Sequence, residues 1–104
     1  MSTLHTVNKS PFATGSLRSC LAHARSGDAV LMIEDGVYGA TAGTGLSDEI
    51  AAAARGGGIG IYVLGPDMAA RGLDAGRVLD GVITVDYAGF VDLAAKHDRA
   101  VAWL

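Results

Sequence analysis

Cys20 is the only cysteine in the chain, and a thiolate is the side chain best suited to attack sulfur. It lies in the stretch GSLRSCLAHARSGD, residues 15–28. The pattern predicts a helix over about residues 16–26, with Ser16 or Thr14 as its N-cap and Gly27 as its stop. Leu17, Cys20, Leu21 and Ala24 fall at i, i+3, i+4 and i+7, the buried face of such a helix. Free cysteine is among the most buried residue types, so this spacing supports a thiol that fills the core. Position supports a nucleophile. With Ser16 as the cap, Cys20 lies just past the first turn, near the positive end of the helix dipole. His23 is three residues on and reaches the same strip of helix, and Lys9 stands across the rim. Asp35, Asp67 and Asp86 belong to the same edge and oppose an anion. Spacing leaves both readings open, with Cys20 the candidate sulfur acceptor and His23 and Lys9 its supports.

Other chemistry-bearing groups are weaker. Glu34 and Asp35 are adjacent, so on a strand they point to opposite faces and make a poor acid/base pair. Asp35–Gly36 reads as an ordinary turn dipeptide. A phospho-receiver site would need a lysine beside the last strand, and none stands there. GATAGTG (39–45) lacks the GxGxxG spacing, and GGGIG (56–60) precedes a strand, the wrong edge for a phosphate loop. His5, His23 and His97 show no metal-ligand spacing with Cys20, so neither metal nor cofactor is expected. His5 alternates within a strand and suits a hydrogen-bonded structural role. His97 ends a helix, where the dipole favours a cation.

These residues need elements to hold them. LHTVN (4–8), AVLMIE (29–34), IGIYVLG (59–65), GVITV (81–85) and AVAWL (100–104) read as strands. The continuous apolar run of the second fits a strand covered on both faces. Between them fall the Cys20 helix, a helical turn near 37–42, a helix from Ser47 to Arg55 capped by Ser47, a short helix capped by Asp67, and a helix over 87–97 capped by Asp86. Strict alternation predicts a three-layer α/β/α sandwich on a five-stranded parallel sheet, flavodoxin-like, in one domain spanning 1–104. Ligands in such folds gather at the carboxyl ends of the strands, where the Cys20 helix begins. Strand order is not readable.

Bulk composition excludes several classes. The net charge is −3 and the eight Lys and Arg are scattered, so no stripe could neutralise a line of phosphates. Neither a signal peptide nor a membrane span is expected, since the longest apolar run, AVLMI, covers only residues 29–33. One cysteine precludes an internal disulfide. A soluble cytoplasmic protein follows. Half of the residues are apolar, a surplus in so short a chain that suits an obligate partner.

Five strings in order, LHTVNKSPF, SLRSCL, GDAVLMIEDGVYGA, VLGPDMAARG and VDYAGFVDLAAKHDRAVAWL, resemble the DsrH/TusB family from residue 4 onward. The cysteine in its SLxSCL context and the full opening string are more similar to the DsrH branch. The resemblance implies a cytoplasmic sulfur-relay subunit in a heterohexamer with DsrE/TusD-like and DsrF/TusC-like paralogues. Its complex would pass persulfide sulfur to a DsrC/TusE-like acceptor, in sulfur oxidation or in 2-thiolation of the tRNA wobble uridine. The principal sulfur-carrying cysteine would then sit on the DsrE/TusD-type subunit, with Cys20 an auxiliary acceptor and no direct nucleic-acid contact. Two other readings stand beside it: a non-catalytic scaffold subunit with Cys20 structural, and a free-standing α/β regulatory or ligand-binding module.

Overall fold

A computed structural model describes residues 2–41 and 45–104. Five parallel strands form one sheet: β1 (Thr3–Val7), β2 (Ala29–Met32), β3 (Gly60–Leu64), β4 (Val82–Val85) and β5 (Arg99–Trp103). Four helices connect them: α1 (Ser16–His23), α2 (Ser47–Arg55), α3 (Gly65–Ala70) and α4 (Tyr87–Lys96). The order is β4-β3-β2-β1-β5. β1 to β4 thus step outward in one direction, and β5 returns to the far side of β1.

Right-handed crossovers then place α1, α2 and α3 on one face and α4 on the other. Side-chain packing agrees. Val7, Val30, Met32, Ile61 and Val63 of the sheet share a buried cluster with Leu17, Cys20, Ile50 and Met68. Leu4, Ala29 and Leu31 share a second with Leu93, against which Phe90 packs. The sandwich is three-layered, as the alternation of elements predicts, and α4 covers its face alone.

Capping differs from the sequence expectation at three places. Ser16 and Ser47 are the first residues of α1 and α2 rather than their caps, and Gly15 and Leu46 take the cap positions with no side-chain cap bond. Asp67 lies inside α3, and its carboxylate accepts from the Glu34 backbone N–H at 2.7 Å instead. Asp86 does cap α4, accepting from the Gly89 N–H at 2.8 Å. The predicted turn near 37–42 is a longer 3-10 segment, Glu34–Ala40, while 42 lies outside the described residues.

Two residues of that segment are tightly constrained. Glu34 has φ +49°, a left-handed conformation that costs a non-glycine residue about 1–2 kcal/mol. The bond to Asp67 holds it there. Glu34→Gly removes that strain but loosens the unfolded chain, so equilibrium urea unfolding should find it neutral to about 1 kcal/mol more stable. A clear loss of stability would show the strain is absent. Gly36 is not the exposed turn residue its dipeptide suggests. It is buried, and a Cβ there would fall on the carbonyl of Val7.

Candidate functional site

Helix α1 runs antiparallel to the strands, from their carboxyl edge to their amino edge. That direction separates the three residues singled out above. Lys9 follows β1 and is exposed at the carboxyl edge. Cys20, the fifth residue of α1, faces the sheet and is 0% exposed. His23 ends the helix, exposed at the amino edge, with its ring edge-on to Trp103 at 5.8 Å. The fold does not gather Lys9 and His23 around the sulfur.

Cys20 is a free thiol within the apolar cluster beneath α1. Burial, with the charge of Asp28 adding to it, pushes the thiol up to about 12. Charge is disfavoured in an apolar setting because no water solvates it. Because Ser16 is the first helical residue and not the cap, Cys20 also sits deeper in the helix than the sequence expectation placed it. The dipole acts mainly on the first turn, so little of it offsets the desolvation.

At the carboxyl edge, Asp35, Asp67 and Asp86 are engaged by structure. Arg71 donates from Nε to Asp35 Oδ1 at 2.9 Å and from Nη1 to the Asp67 carbonyl at 3.1 Å. The bond to Asp35 raises the Arg71 pKa. Asp35 therefore ties α3 to the 3-10 segment and is not paired with Glu34. Asn8 Oδ1 is buried at the end of β1 with no partner among the described residues. No group of three or more His, Cys, Asp or Glu able to hold a metal occurs among the described residues. None of their helices is long and apolar enough to cross a membrane.

The most elaborate polar arrangement among the described residues lies at the opposite, amino-terminal edge, and only its His5 is expected from the sequence. His5 has the hydrogen-bonded role its strand position suggests. Its Nε2 lies 3.0 Å from Asp28 Oδ2, and its Nδ1 lies 3.0 Å from Trp103 Nε1. An indole N–H only donates, so Nδ1 is the accepting nitrogen and Nε2 carries the proton given to Asp28. Asp28 also accepts from the backbone N–H groups of Thr3 and Arg25, each at 3.0 Å. Burial raises the pKa of this carboxyl, but the bonds from Arg25, His5 and Thr3 outweigh it and lower the net value. The one sequence signal for Asp28 is that it is a lone carboxylate opening an apolar strand.

Comparison with known proteins agrees with this architecture. A family model described as "DsrH like protein" matches residues 9–100. Protein TusB of Escherichia coli O81 (strain ED1a) is 36% identical over 100 residues, covering 96% of this chain and 99% of the relative. Protein TusB of Shigella flexneri matches with the same identity and coverage. Among solved structures, the ychN protein from E. coli has a TM-score of 0.75 at 13% identity, covering 98% of this chain and 99% of its own. MTH1491 from Methanobacterium thermoautotrophicum, a protein of unknown function, has a TM-score of 0.71 at 15% identity, covering 97% of each chain. The two structures share the fold, whereas the sequence matches span nearly the whole chain at an identity that carries descent. This chain belongs to the DsrH/TusB family.

Proposed function

We propose that the protein is a subunit of a cytoplasmic sulfur-relay complex, and that it contributes by assembly rather than by carrying sulfur on Cys20. The observation that carries this reading is the state of the thiol: wholly covered, and pushed up to about 12. Persulfide exchange needs a thiolate that can reach the sulfane sulfur of a donor persulfide, displace a thiolate, and later yield the same sulfur to another thiolate. A covered, protonated thiol does neither step. The sulfur-carrying cysteine then belongs to a DsrE/TusD-like partner, and this chain shapes the surface around it.

Exposed apolar side chains support a partnered role. Tyr87 and Val91, one turn apart on α4, are 60% and 67% exposed, and Ile83 on β4 points to the same face of the sheet at 54%. Covering such residues favours association.

The test loads the assembled complex with a persulfide donor and weighs each subunit by mass spectrometry. Sulfur is expected on a partner cysteine and not on Cys20, and Cys20→Ala should transfer sulfur at the wild-type rate. An added sulfur atom on Cys20, removed by the acceptor protein, would overturn the reading and make Cys20 an auxiliary carrier in sulfur oxidation or tRNA thiolation. A cheaper check uses iodoacetamide on the native chain. At pH 8 a thiol pushed up to about 12 is roughly one part in ten thousand ionised. Alkylation should therefore be about a thousandfold slower than for an ordinary thiol, before any protection by burial. Urea should remove the protection.

A further inference from the structure

Beneath the end of α1, at the amino-terminal edge of the sheet, lies a pocket of about 290 Å3 lined by Thr3, His5, His23, Arg25, Asp28 and Arg99. Cys20 is not among its lining, and nothing in the sulfur reading uses it. Its two arginines come from different elements, the segment after α1 and the start of β5. Each is held at one point. The Arg25 backbone N–H is held by Asp28, and Arg99 Nε donates to Thr3 Oγ1 at 2.9 Å. Their outer nitrogens are free: among the described residues, the Arg25 side chain has no hydrogen bond or ion pair, and Arg99 has no carboxylate partner.

Asp28 is the one acid in this lining, and both its oxygens are occupied by Thr3, Arg25 and His5. It therefore offers little to a cation, while the unpaired Arg25, the Arg99 guanidinium with its Nη groups unengaged, and His23 line the same space. Guanidinium forks bind oxyanions through paired, charge-assisted hydrogen bonds. A carboxylate has two oxygens, enough for one fork, whereas a phosphate group has oxygens for both forks and the imidazole. The volume lies just below the usual range of about 300–1,000 Å3 for small-molecule sites, which suits a headgroup with few further atoms.

We propose that this pocket binds a phosphate group, either as free phosphate or as a small phosphate monoester. The proposal is independent of the sulfur reading and survives its failure. Asp28 and the carbonyl end of α1 weaken the positive field here, so both arginines are required.

The test titrates inorganic phosphate and glycerol phosphate into the purified full chain, with chloride adjusted to hold ionic strength constant. Calorimetry reads binding directly. Trp103 fluorescence reads it locally, because the indole N–H bonds to His5 in the pocket wall. Saturable binding is expected, weakened about tenfold or more by Arg25→Gln or Arg99→Gln and partly restored by Arg25→Lys. Arg25→Gln is the decisive variant, since its side chain holds no part of the fold together. Tighter binding of glycerol phosphate would assign the site to a monoester, and tighter binding of phosphate to the free ion. No saturable binding of either probe, or binding unchanged in Arg25→Gln, would overturn the proposal.

Discussion

Asp28→Ala should cost about 3–5 kcal/mol of folding stability, a large share of the roughly 5–15 kcal/mol that holds a domain of this kind folded. The cost comes from what is left behind. Thr3 N–H, Arg25 N–H and His5 Nε2 all donate to this carboxylate at 3.0 Å. Each buried donor left without a partner costs about 1–3 kcal/mol. Asp28→Asn should cost less, because one amide oxygen still accepts while the amide nitrogen faces a donor. The carboxyl also makes stability depend on pH. Its folded pKa is depressed, so the unfolded chain, near 3.9, takes up the proton first. The contribution is whole above about 3.9 and is lost as pH falls through the lower folded value. Urea unfolding followed by Trp103 fluorescence measures both effects. The gap between wild type and Asp28→Asn should narrow as pH falls through this range. A gap that stays constant would show that the carboxylate charge contributes nothing.

Gly36→Ala is the second large effect, expected at about 3 kcal/mol or more. Its Cβ would meet the Val7 carbonyl oxygen and lie 2.9 Å from the Val7 carbonyl carbon. That carbonyl cannot withdraw, because it accepts the Ile33 N–H at 3.0 Å. Backbone on both sides leaves no flexible side chain to yield, which separates this site from ordinary overpacking. Gly15, with nothing near its Cβ position, is the control. Gly15→Ala should lose only the roughly 1 kcal/mol of an N-cap change in urea, and equal losses at the two sites would refute the steric account.

The strands and the parallel sheet were legible because they are local patterns repeated five times. The buried run of β2 and the Asp86 cap need only a few neighbouring residues. Ser16, Ser47 and Asp67 show where such local reading fails, since a capping residue one or two places inside a helix looks the same in sequence. The inward face of Cys20 was legible from its spacing, whereas the strength of its desolvation depends on elements far along the chain. The separation of Lys9 from His23 was readable in principle. A crossover between parallel strands must run antiparallel to them, so residues at its two ends lie at opposite edges. The Asp28–His5–Trp103 chain was not readable, because it joins residues 23 and 98 positions apart.

The strand order also has a consequence for biosynthesis. β1 pairs with β2 on one side and with β5 on the other, and Thr3 meets Arg99 across 96 positions. As the chain leaves the ribosome, β1 to β4 can assemble while one edge of β1 still lacks its neighbour. That edge exposes unpaired backbone until β5 emerges, and such open edges invite pairing with other chains. The nascent chain is therefore most vulnerable between the emergence of β4 and that of β5, when most of its core already exists and the strand that seals it does not.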